Sequence, residues 1–242
     1  GNHAVVLTAT DGSNVVATQT FTIAVANVNN APTVANSIAN QSVAEDASLS
    51  FQFASNTFAD SDASDSLTYT ATLADDNTLP SWLTFNAGTR TFSGTPLNGD
   101  VGIIAVKVTA TDGSSAVITE TFDLTVTNTN DAPAVTSNAT TTATEDAAYS
   151  YTFVASDIDS GDTLTYAATT QPSWLSFNTS TGVLSGTPTN SHVGNHEVVL
   201  TATDGSNVVA TQTFTIAVTN INDAPTVANS IANQSVAEDA SL

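Results

Sequence analysis

The chain has 242 residues, with 23 acidic side chains against two basic ones, Arg90 and Lys107, and a formal charge of −21. Such a surface repels a phosphate backbone and anionic headgroups, which argues against nucleic acid and membrane surfaces as partners. There is no Cys, hence no disulfide or thiolate metal site, and with no apolar run of 18 residues no membrane insertion is expected.

Repetition organises the rest. Residues 1–49 and 194–242 are identical at 45 of 49 positions. A shorter period lies inside that one, because "LPSWLTFNAGTRTFSGTP" at 79–96 echoes "QPSWLSFNTSTGVLSGTP" at 171–188. Self-similarity of this kind is the mark of a tandem array. With no Met and no leader pattern, the chain is expected to be an internal piece of something longer.

In chain order, 1–30 reads as the C-terminal part of a truncated module, in which "VVLTAT" and "TQTFTIAV" alternate apolar and polar residues. The segment "ANVNNAPTV" at 26–34 closes it, and "TNTNDAPAV" at 127–135 and "TNINDAPTV" at 219–227 recur after later alternating runs. Proline lacks the ladder donor and extends its predecessor, so each Ala-Pro is expected to end a sheet and begin a junction. Complete modules are therefore expected at 31–131 and 132–223, and 224–242 is the N-terminal part of the next one. Each complete module carries runs such as "AYSYTFVAS" and "TLTYAAT", about seven strands in roughly 95 residues, the pattern of an all-β antiparallel sandwich. Trp82 and Trp174, both in "PSWL", are expected as core plugs.

The carboxylates sit where strands end. The second module places Asp157, Asp159 and Asp162 in "DIDSGD", Asp204 in "TATDGS", and Glu145-Asp146 early. The first has Asp60, Asp62 and Asp65, then Asp112, with Glu45-Asp46 early. Acids gathered in loops repel one another unless a cation lies between them. An all-oxygen donor set without Cys suits Ca²⁺ before Mg²⁺ and well before Zn²⁺. The residues alone leave two readings open, a cation site and a solvated acidic loop. The Asn-x-Asn-Asp segment favours the first, since it brings further oxygens to the point where one module meets the next.

The ordered set "VASDIDSGDTLTY", "FNTSTGVLSGTP", "VVLTATDGS" and "TNINDAP" resembles the cadherin-like repeats of bacterial surface proteins, in particular dystroglycan-type cadherin-like modules and their immunoglobulin-like relatives. The resemblance covers essentially the whole chain. It implies tandem Greek-key β-sandwich modules in an elongated array, Ca²⁺ held at the junctions, and a place at the extracellular cell surface. Carried over by position, it implies a junction site of Asn130 and Asp131 from the linker, Asp157 and Asp159 from the following module, Asp204 after its penultimate strand, and Glu45 from the preceding module. Asn29, Asp60, Asp62 and Asp112 would form a weaker site, because the last linker acid there is replaced by Asn30. Asn222, Asp223 and Glu145 would begin a third. Asn128 stands where the cadherin linker has its first acid, and nothing near "TPLNGDVG" or "TPTNSHVG" matches the cadherin Leu-Asp-Arg-Glu segment. A reduced number of ions is therefore expected, about one or two per junction.

The function implied is a calcium-stiffened spacer or fibre shaft of a large surface adhesin, partnered by neighbouring modules of its own array. The alternative is a self-associating filament of identical chains, or an adhesive module that binds surface carbohydrate. No catalysis is expected. His196 and Glu197 fall on opposite faces of one strand, Ala4 replaces Glu197 in the first copy, and no nucleophile is paired with a base.

Overall fold

Val, Ile, Thr and aromatic residues alternating with polar ones leave the backbone little choice but extended strands, and Asp, Asn and Gly punctuate them. A computed structural model describes residues 1–62 and 66–239, so Asp65 lies outside the described residues. The chain divides into two compact units, Gly1–Thr129 and Asn130–Leu242.

In the first unit, β1 (Asn2–Thr10) and β2 (Val16–Ala24) form a two-stranded hairpin. Nine strands follow: β3 (Thr33–Val34), β4 (Gln41–Ala44), β5 (Leu49–Gln52), β6 (Phe58–Ala59), β7 (Thr68–Leu73), β8 (Leu83–Asn86), β9 (Thr91–Gly94), β10 (Gly102–Thr111) and β11 (Val117–Thr127). One sheet has the order β4-β11-β10-β7, a second the order β5-β9-β8, and β3 pairs with β6. Between them lies a core that includes Phe53, Phe92, Val106, Val108, Phe122 and Leu124. Half of its ring pairs meet edge to face, as Phe92 does with Phe122 at 5.6 Å between centroids.

The second unit repeats the plan with β12 (Ala134–Val135), β13 (Thr142–Thr144), β14 (Tyr149–Thr152), β15 (Ala155–Ser156), β16 (Thr165–Thr170), β17 (Leu175–Asn178), β18 (Val183–Gly186), β19 (Gly194–Thr203) and β20 (Val209–Thr219). The sheets are β13-β20-β19-β16 and β14-β18-β17, with β12 paired to β15. Val198, Leu200, Ala202 and Ile216 of β19 and β20 are fully buried.

Two features depart from the sequence reading. The sandwich is not wholly antiparallel, since β4 runs parallel to β11 and β13 parallel to β20. The tryptophans are half-buried flanks of the core rather than its centre. Their backbone explains this: a Cβ at Gly94 would stand 1.8 Å from Trp82 O, and one at Gly186 2.0 Å from Trp174 O. Glycine is required there for the close approach of the tryptophan carbonyl. His196 is half-buried and donates from Nε2 to His192 O at 2.6 Å, while Glu197 is exposed.

Candidate metal centre

The site is built from loops at strand ends. After β10 the chain turns through Asp112–Ala116, and Asp112 Oδ1 holds the turn by accepting from the N–H groups of Ser114 (2.9 Å) and Ala116 (2.7 Å). Asp204 does the same after β19 for Ser206 (2.9 Å) and Val208 (2.7 Å). An aspartate at the first position of such a loop replaces a ladder that the strands cannot continue. That leaves Oδ2 free to receive the linker. Asn29 donates its amide to Asp112 Oδ2 at 2.9 Å, and Asn130 donates to Asp204 Oδ2 at the same distance.

The second loop follows the two-residue strands β6 and β15. Asp60 Oδ1 accepts from Asp62 N at 2.8 Å, and Asp157 Oδ1 from Asp159 N at 3.0 Å. The next carboxylate captures the linker backbone, with Asn30 N donating to Asp62 Oδ2 at 2.7 Å and Asp131 N to Asp159 Oδ2 at 2.8 Å. A donor to a carboxylate favours its ionised form. The Asn30 N–H holds Asp62 below its ordinary value, the Asn29 amide does so for Asp112 and the Asn130 amide for Asp204, each against the opposing effect of burial.

A third acid stands at the other end of each module. Glu45 N donates to Thr127 O at the end of β11, and Glu45 Oε1 accepts from Thr129 N at 2.7 Å. Glu145 repeats this on Thr219 O and Ile221 N. Both glutamates are buried, at 2% and 0% exposure. Since Asp112 precedes β11 and Glu45 meets its last residues, each module carries two acidic poles separated by about the length of an 11-residue strand, roughly 35 Å.

The orphaned atoms test whether these residues suit a cation. Glu45 Oε2, Asp60 Oδ2, Glu145 Oε2 and Asp157 Oδ2 are buried with no hydrogen-bond partner among the described residues. A buried carboxylate oxygen without a donor is costly, and a hard cation is the group that removes the cost. Asp157, Asp162 and Asp204 can each offer an oxygen such that the three lie within 4.8 Å of one another. The donor set fits a divalent cation bound through oxygen.

Of the expected residues, the second unit brings Asn130 to Asp204 and Asp131 to Asp159, and the first brings Asn29 to Asp112. Asn30, expected to weaken its site, bonds Asp62 through backbone N–H and side chain alike. At the far pole of the second unit, Asn222 donates to the carbonyl of Asp223. Asn190, in the segment that lacks cadherin-type carboxylates, donates to Asp223 Oδ2 at 3.0 Å. Asp162 was visible in the acidic loop but absent from the expected ligand set. Gly161, at φ +95°, is the signal for the sharp turn just before it.

The "Serine-rich adhesin for platelets" of Staphylococcus aureus strain MRSA252 is 32% identical over 156 residues, which is 64% of this chain and 11% of that protein. Its counterpart in strain MW2 matches at the same identity over 7% of its length, so the chain spans about a tenth or less of these relatives. Among solved structures, the protocadherin gamma-B4 extracellular domain has a TM-score of 0.54 at 21% identity, covering 90% of this chain and 39% of that one. The extracellular cadherin domains 3–6 of protocadherin gamma-B2 give 0.50 at 19%, covering 91% and 60%. These likenesses concern the fold, a cadherin-like sandwich. The profile described as "Putative Ig domain" matches residues 31–127 and 132–219, and the chain belongs to that family as a tandem pair of its modules.

Proposed function

We propose that the chain is a run of repeats from a bacterial surface adhesin, in which Ca²⁺ at the module ends stiffens an extracellular array. The observation that carries the reading is the recurrence of unpartnered, buried carboxylate oxygens at matching positions in both modules, Asp60 with Asp157 and Glu45 with Glu145. A match at 32% identity to a staphylococcal adhesin over 64% of the chain supports the adhesin setting. The whole protein's ligand and partners would lie with the array and what it carries, and neighbouring modules are the partners proposed for this segment.

The chain's own residues prepare the site. Asp112 and Asp204 rigidify their loops with one oxygen and hold the incoming linker with the other. Asn130, Asp131, Asp157, Asp159 and Asp204, with Asp162 added, would hold the ion in the second module. Asn29, Asp60, Asp62 and Asp112 would hold it in the first. Glu45 and Glu145, the latter with Asn222 and Asp223, are the ligands each module would offer to the one that follows. Ca²⁺ supplies the positive charge that cancels carboxylate repulsion and ties linker to loop, so that affinity for the ion becomes rigidity.

The test is small-angle scattering and calorimetry on the full chain, with Ca²⁺ and with excess chelator. Ca²⁺ is expected to raise the unfolding temperature and sharpen the scattering curve, and Asp157→Ala with Asp159→Ala to abolish both changes in the second module. Identical curves in the two conditions would sink the proposal and return the acids to the role of solvated loops.

A further inference from the structure

Arg90 is the chain's only arginine, and it sits where arginine is least at home. It ends the turn between β8 and β9 with φ +57°, and the matching residue between β17 and β18 is Gly182, at φ +69°. In both modules this residue's carbonyl accepts from the core backbone, Phe53 N in one and Phe153 N in the other, so the turn is the same. A left-handed position favours glycine, and a long cationic side chain there carries strain that the fold does not require. The other basic residue, Lys107, is paired with Asp76. Arg90 has no ion pair among the described residues, and its Nε is buried without a partner.

Beside it opens a cavity of about 390 Å³ lined by Leu67, Thr68, Tyr69, Ala87, Gly88 and Arg90. Among the described residues the lining contains no acid, although the chain carries 23. On a strongly anionic molecule this wall thus offers an anion an arginine and, among the described residues, no carboxylate. Its volume suits a small molecule rather than a polymer segment. Leu67, Tyr69 and Ala87 offer apolar surface beside the Thr68 hydroxyl, which matches a ring with a C–H face and a polar edge.

We propose that this pocket binds the carboxylate of an acidic monosaccharide, with Arg90 as the anchor that reads the charge. The guanidinium fork matches a carboxylate in shape and charge, and the ligand supplies the counter-charge that Arg90 lacks among the described residues. The second module has Gly182 at the matching position and lacks this anchor.

The test is a titration of the full ¹⁵N-labelled chain with glucuronate in chelator, at constant ionic strength, against glucose, acetate and N-acetylalanine. Chelator keeps the acidic loops free of metal, so this outcome is separate from that of the calcium experiment. Saturable shifts at Gly88 and at the Arg90 Nε–H are expected with glucuronate. Arg90→Gly installs the residue that the second module already tolerates at the same turn, and it should weaken binding by about tenfold or more. An affinity unchanged in Arg90→Gly, or no saturation with glucuronate, overturns the site. Acetate or N-acetylalanine binding as tightly as glucuronate overturns the sugar assignment.

Discussion

Asn130 Nδ2 donates to Asp204 Oδ2 at 2.9 Å, tying the first residue of the second unit to a loop 74 residues further along. The bond neutralises no charge but gives a crowded carboxylate a donor. Replacing Asn130 by Ala should lower the unfolding temperature in chelator. Asn130→Asp should lower it further by adding a like charge, yet raise Ca²⁺ affinity. Calorimetry of the three chains with and without Ca²⁺ checks the crossover, and the same ranking in both conditions would count against a metal role.

The same contact sets an acid limit. Asp204 is held below the ordinary carboxylate value chiefly by the Asn130 amide and, against burial, by the N–H groups of Val208 and Ser206. A folded value below the unfolded one adds stability that is present above about pH 4 and is lost as pH falls through the folded value. In chelator the unfolding temperature should therefore drop below about pH 4. Asn130→Ala should shallow that drop.

Tyr149 sets a limit at the other end. Burial first, and the neighbouring Tyr151 second, push its phenol up to about 12 from 10.0, and its O–H donates to Thr140 O at 2.7 Å. A raised folded value adds stability that is complete below pH 10 and is lost as pH rises through about 12. The second module should unfold in that window, with phenolate absorbance rising together with loss of β circular dichroism. Tyr149→Phe should remove part of the alkaline dependence.

Gly94 and Gly186 give a test of the close approach of "PSWL". An added methyl would meet a tryptophan carbonyl at 1.8 or 2.0 Å, and backbone cannot rotate away as a side chain can. Gly94→Ala and Gly186→Ala should each cost about 3 kcal/mol. Each should lower the melting of its own module, read by a module-specific probe such as Trp82 or Trp174 fluorescence.

Leu7 and Leu200 occupy the same position of the repeated segment, but Leu200 is fully buried and Leu7 is 55% exposed. Leu200→Ala should cost about 2–5 kcal/mol, whereas Leu7→Ala should stay within about 0.5 kcal/mol. Equal effects in denaturant titrations would mean that the hairpin is covered in solution.

Much of this could be read from the residues. Alternation gave the strands, Ala-Pro marked where ladders stop, and the recurring Asn-x-Asn marked the linker whose N–H groups donate to Asp62, Asp112, Asp159 and Asp204. Parallel pairing could not be read, because "QSVA" has the same period whichever way its partner runs, and that partner lies some 80 residues away. Asp162 escaped for a related reason: whether it faces Asp157 and Asp204 depends on the turn at Gly161, not on spacing. The tryptophans were placed too deep because side-chain size speaks for burial while the glycine opposite decides how near the backbone comes.

The parallel pairing of β4 with β11, Gln41 opposite Leu124 through Ala44 opposite Thr127, has a mechanical meaning. Tension applied to the two ends of the first module draws its first long edge strand one way and its last strand the other, along their own axes. The hydrogen bonds between them are then loaded in shear and must fail together rather than one after another. The β13 and β20 pair gives the second module the same force-bearing clamp. A segment built this way resists drag at its folded length and lengthens abruptly only when the clamp gives.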